Sequence, residues 1–145
     1  MATINPYLNF NGKAEEVFNF YKSIFGGEFA TVSRYGEMPG CDEMQEGNKL
    51  SESDKDKIMH IALPIGKSDV LMASDIPESM GQLTNGNNFS ISISTVSREE
   101  TEKLFNGLSD GGKVTMPLAK TFWSEYFGMC SDKFGILWMV NFCGK

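Results

Sequence analysis

The chain has 145 residues, of which 41% are hydrophobic, 12% aromatic and 22% charged, and its formal net charge is −6. One ordinary domain with a real core fits this length, and a wholly disordered chain is excluded. The acidic balance, with no basic patch, argues against nucleic-acid binding, and no apolar run is long enough for a transmembrane helix. The first residues lack the basic region and apolar stretch of a signal peptide, which sets the expectation of a soluble cytoplasmic protein.

Ile4, Pro6, Leu8 and Phe10 alternate with Asn5, Tyr7 and Asn9, which predicts a strand with one apolar and one polar face. After Gly12 the spacing becomes helical: Ala14, Val17, Phe18, Tyr21, Ile24 and Phe25 share one face, and Gly26-Gly27 ends the helix. Strands are predicted over 28–35, 57–65 and 69–74, the last two joined by a hairpin at Gly66-Lys67-Ser68. The same order then recurs. A strand over 88–95 carries Phe89, Ile91 and Ile93 against Ser90, Ser92 and Ser94. A helix over 98–109 follows, with Ser97 as N-cap and Glu100 completing a capping box. Gly111-Gly112 ends it, and three strands follow over 113–116, 125–131 and 136–142. Placing Gly26-Gly27 on Gly111-Gly112 also superimposes Glu15 on Glu100 and Phe20 on Phe105. The expectation is therefore an α+β chain of tandem βαβββ modules, a single domain over 1–145. Module one spans about 1–76 and module two about 88–145. Between the second and third strands lies an acidic loop, 36–56, with Glu37, Asp42, Glu43, Glu46, Glu52, Asp54 and Asp56. Its length suits either a solvated insertion or a lid, with Met38, Cys41, Met44 and Leu50 as apolar grip.

Few residues offer chemistry. The three cysteines, Cys41, Cys130 and Cys143, form no C-x-x-C pair and no disulfide framework. His60 is the only histidine, too few for the usual two- or three-His metal sites, and no G-x-S-x-G elbow accompanies it. It can serve as a general base near neutral pH or be a structural histidine bonded to a carbonyl. Tyr7, Trp123 and Trp138 can stack on an aromatic or quinone-like ligand, or simply fill core. The Gly66-Lys67-Ser68 run lacks the first glycine of a P-loop, because Ile61 stands there. No glycine-rich strand-to-helix turn for S-adenosylmethionine is visible.

Several stretches in order resemble one family. They are Asn5-Pro6-Tyr7-Leu8 with Phe10 and Gly12, Phe20-Tyr21 leading to Phe25-Gly26-Gly27, Met59-His60, and Leu71-Met72 leading to Ser74-Asp75. Near the end come Phe122-Trp123, Phe127-Gly128-Met129, Asp132, Phe134-Gly135 and Trp138-Met139-Val140-Asn141. The whole chain thus resembles PhnB-like proteins, the 3-demethylubiquinone-9 3-methyltransferase-like domains of the vicinal oxygen chelate superfamily (glyoxalase, bleomycin-resistance and extradiol dioxygenase proteins). The resemblance implies a cup-shaped mixed sheet and a homodimer. It also implies where metal ligands would stand: Asn5 or Pro6, Phe89 or Ser90, Met72 to Ser74, and Trp138 or Met139. None of these is His, Glu, Asp or Cys, so no metal and no cofactor is expected; Asp75 nearby is a single carboxylate. The expected function is a metal-independent domain that binds a small apolar or aromatic molecule. The ligand set would be Asn5, Tyr7, Asn9, His60, Trp123, Trp138, Met139 and Asn141, with the first-strand residues facing His60 and Met139 or Asn141 across the cup. Two alternatives stand beside it: an enzyme with His60 as catalytic base or an unconventional metal, and a protein-interaction module with a vestigial pocket. A methyltransferase is not expected.

Overall fold

The computed structural model describes residues 2–37, 52–77 and 82–142. The chain divides into two units, residues 1–84 and 85–145. Unit 1 runs β1 (Tyr7–Phe10), α1 (Ala14–Phe25), β2 (Thr31–Arg34), a 3-10 turn (Tyr35–Glu37), the short helix α2 (Glu52–Lys55), β3 (Ile58–Ile65) and β4 (Asp69–Asp75). Unit 2 runs β5 (Ile91–Ser94), α3 (Arg98–Ser109), β6 (Lys113–Ala119), β7 (Tyr126–Ser131) and β8 (Leu137–Phe142). The βαβββ order therefore repeats, and the two sheets have the same plan: β1-β4-β3-β2 and β5-β8-β7-β6. In each, the first strand lies parallel to the last, and the other neighbours are antiparallel.

Each helix packs on one face of its own sheet. In unit 1, Ala14, Val17, Phe18, Tyr21 and Ile24 of α1 are buried together with Leu8, Phe10, Ile61, Leu63, Leu71 and Ala73. In unit 2, Thr101, Leu104, Phe105 and Leu108 of α3 are buried with Cys130, Trp138 and Val140. The period-3.6 and period-2 apolar patterns meet here, which is why these segments form these elements.

Helices α1 and α3 have the bounds their periodicity predicts, but several strands do not. The first begins at Tyr7, and Ile4 is 96% exposed instead of facing the helix. Pro6 has no N–H to give, although its carbonyl still accepts from Met72 N at 3.1 Å. The fifth begins at Ile91, leaving Phe89 exposed. The second shortens to Thr31–Arg34 and the sixth lengthens to Ala119. Most of the acidic loop, residues 38–51 with Cys41, lies outside the described residues, as does Cys143. The flanks of that loop are ordered as the 3-10 turn and α2, which the sequence pattern does not signal. No helix among the described residues is long and apolar enough to cross a membrane.

Candidate functional site

In unit 1 α1 covers one sheet face, so strand parity directs Tyr7, Asn9, His60, Met72 and Ser74 to the other. The register lines them up. Asn9 pairs with Ser74, Ser33 pairs with His60, and the Ile61–Ala73 pair puts His60 beside Ser74. Asn9, Ser74, His60 and Ser33 thus form a polar row across all four strands, with Ser74 Oγ donating to Asn9 Oδ1 at 3.4 Å. Tyr7, paired with Met72, reaches diagonally from β1 over β4 to β3. Its hydroxyl lies 3.2 Å from His60 Nδ1, and the two rings stack with centroids 5.7 Å apart at 29°. Tyr7 remains 45% exposed. Two of the residues singled out from sequence are therefore in direct contact, and Asn9 lies in the same row. Asn5 precedes the strand, half-buried. Ser33, Met72 and Ser74 share this face but stand outside the expected ligand set; alternation along β2 and β4 is the signal that finds them.

Behind this face, Asp75 ends β4 in the buried layer. Its Oδ1 accepts from Ala14 N and its Oδ2 from Ile58 N, both at 2.9 Å. Tyr35 donates its hydroxyl to the Asp75 carbonyl at 2.8 Å. Burial first, then the phenol of Tyr7 and the carboxylates of Asp75 and Asp54, push the Tyr35 phenol up from its ordinary value. A separate cavity of about 240 Å³ is lined by Gly12, Glu15, Arg34, Asp56, Lys57, Ile58 and Asp75. Most of its charged groups are paired locally. Arg34 pairs with Glu15 at 2.8 Å and donates to the Asp56 carbonyl, and Lys57 pairs with buried Asp54 at 2.7 Å. We therefore place the candidate site on the strand face.

The four residues expected from unit 2 separate. Trp138 is 1% exposed, faces α3 with Val140, and donates its indole N–H to Asp132 Oδ2 at 2.9 Å. Its ring is core, and the expectation that it stacks on a ligand is corrected. Met139 and Asn141 point to the opposite face, half-buried. The Asn141 side chain is held against the Ser124 hydroxyl. Trp123 lies between β6 and β7, 52% exposed, edge-on to Phe122 and Phe127 at 4.7 and 5.5 Å.

The residues present do not fit the metal site that the resemblance implies. Among the described residues no three His, Cys, Asp or Glu side chains come together. The Asp75 carboxylate, closest to an implied ligand position, already accepts from two backbone N–H groups, and Trp138 at another position is buried towards α3.

The family model for 3-demethylubiquinone-9 3-methyltransferase matches residues 2–141. Protein YjdN of Escherichia coli K12 is 29% identical over 140 residues, 95% of this chain and 93% of that protein. Protein PA1353 from Pseudomonas aeruginosa is 40% identical, covers both chains completely and superimposes with a TM-score of 0.84. The putative 3-demethylubiquinone-9 3-methyltransferase, PhnB protein, from Bacillus cereus is 26% identical over 97% of this chain and 99% of that one, with a TM-score of 0.74. At 14% identity, a glyoxalase/bleomycin resistance protein/dioxygenase family enzyme from Burkholderia phytofirmans shares the fold over 94% and 96% of the two chains, with a TM-score of 0.61.

Proposed function

The chain belongs to the 3-demethylubiquinone-9 3-methyltransferase family, and from that premise we propose a PhnB-like, metal-independent domain of the vicinal oxygen chelate superfamily that binds a small planar aromatic molecule. The observation that carries this reading is the Tyr7–His60 pair, stacked and partly exposed on the strand face that α1 leaves uncovered. A planar ring finds an aromatic platform there, and the row Asn9, Ser74, His60 and Ser33 offers the few polar groups that orient a ligand in a pocket. The donor set supports metal independence, and the lack of an S-adenosylmethionine-binding turn weighs against the methyl transfer in the family's name. The superfamily resemblance brings a homodimer into the same proposal.

A thermal-shift screen of quinones and substituted aromatics tests the reading. A ligand that stabilises by about 1 kcal/mol raises Tm by roughly 2–4 °C at this size. Tyr7→Ala and His60→Ala should each abolish the shift while far-UV circular dichroism is unchanged; a shift that survives both places the ligand elsewhere. Metal analysis of the purified protein is the companion test. About one metal per chain, with ligand shifts lost on chelation, would overturn metal independence.

The contact between Tyr7 and His60 also favours a second reading, an enzyme with His60 as general base. Turnover found in such a screen should then fall about 10²–10⁴-fold in His60→Ala.

A further inference from the structure

The hydrogen bond between Tyr7 and His60 bears on the kind of ligand this face accepts. Two placements of hydrogen satisfy the 3.2 Å contact. The phenol donates to a bare Nδ1, or Nδ1–H donates to the phenol oxygen. A phenol is a more acidic donor than a neutral imidazole, and an imidazole nitrogen is a more basic acceptor than a phenol oxygen, so the first placement is the stronger bond. The ring's remaining hydrogen then sits on Nε2.

We propose that Tyr7 is a positioning residue that holds His60 as its Nε2–H tautomer, so that unit 1's strand face presents hydrogen-bond donors and selects planar aromatic ligands bearing a carbonyl or carboxylate oxygen. This rests on the binding reading above and deepens it. The neighbouring groups agree. The Ser74 hydroxyl engages the oxygen end of the Asn9 amide, leaving the NH₂ end to donate elsewhere. Ser33, the strand partner of His60, adds a hydroxyl to the same row. An acceptor oxygen can pair with the imidazole N–H or with the amide NH₂, whereas an amidinium, which only donates, finds no acceptor at either. The net charge of −6 by itself favours cations, so site chemistry and overall charge pull in opposite directions and are separable.

His60 is the chain's only histidine, so ¹⁵N-histidine labelling of the full chain yields a single imidazole whose two nitrogen shifts report its tautomer. At a pH high enough that the two shifts no longer change with pH, the native chain should show the proton on Nε2 at limiting shifts. Tyr7→Phe, folded alike by circular dichroism, should draw both shifts towards the tautomer-averaged position. A proton on Nδ1 in the native chain, or identical shifts in the native chain and Tyr7→Phe, overturns the positioning role. Benzoate, acetophenone and benzamidinium are then added in turn. Benzoate and acetophenone should move the Nε2 resonance at concentrations where benzamidinium leaves it in place. A response to benzamidinium alone, or an equal response to all three, overturns the donor-face inference and leaves the binding reading standing. Silence towards all three, with the tautomer locked, withdraws the binding reading and the ligand selection with it.

Discussion

Asp75 does at one position what a local side chain usually does for a helix. Lys13 precedes α1 without capping it, and the Asp75 carboxylate supplies the acceptor for Ala14 N from the end of β4. A negative charge at a helix N-terminus also opposes the helix dipole favourably. The other oxygen holds Ile58 N, so one residue ties α1, β3 and β4 together. Asp75→Asn keeps the shape but turns an NH₂ towards one of those N–H groups. It should cost about 1–3 kcal/mol, read by urea unfolding. Cys130 gives a residue-scale prediction in pH. Burial, with the Asp132 charge second, pushes its thiol from an ordinary 9.0 to about 11. Below pH 9 both folded and unfolded chains keep the thiol protonated, so its contribution is complete. Between about pH 9 and pH 11 the unfolded chain loses that proton first, and stability falls as pH rises. Urea unfolding across this window should show a shallower decline for Cys130→Ala than for the native chain.

The second long helix begins by a different device. Ser97 Oγ accepts from Glu100 N at 3.0 Å, and Glu100 Oε1 accepts in return from Val96 N at 2.9 Å. Ser97→Ala should therefore cost about 0.5–2 kcal/mol, and Ser97→Gly only a few tenths, by the same unfolding assay. Where α3 meets its sheet, Gly128 of β7 lies under Phe105. A Cβ there would stand 2.7 Å from the Phe105 ring and 2.9 Å from Leu118 Cδ2. Gly128→Ala should destabilise by about 1–3 kcal/mol, and part of that should return in the Gly128→Ala/Phe105→Leu double variant. The capping box and both helix spans are legible in the sequence because they rest on contacts within a few residues. Tyr7, Asn9 and His60 are legible for a related reason: alternation along one strand assigns a face once the helix-facing residues are known. Trp138 is not legible in this way. Alternation separates it from Met139, but only packing against α3 says which of the two is inside. The two glycine pairs also look alike and act differently. Gly26 and Gly27 both take positive φ, whereas of the second pair only Gly111 does. Gly112 is held to glycine by space, since a Cβ would stand 2.1 Å from the Ser131 carbonyl oxygen.

At the scale of the whole molecule, the two units repeat one plan with different surfaces. Unit 1 presents the Tyr7–His60 pair, and unit 2 presents serines on β5 and the exposed Phe122 and Trp123. Sedimentation over a wide concentration range should give twice the chain mass if two copies pair as proposed, and the single-chain mass at all concentrations would remove the dimer from the proposal. The parallel pairing of first strand with last has a consequence for how the protein is made. Neither sheet can close until its final strand exists, so β1 waits for β4 and β5 waits for β8. The ribosome delivers β4 first, and roughly seventy residues separate its end from that of β8. At about 5–20 residues per second, that interval lasts roughly 3–14 seconds. During synthesis, unit 1 can assemble its helix, sheet and Tyr7–His60 face while β5 is still a strand without its neighbour.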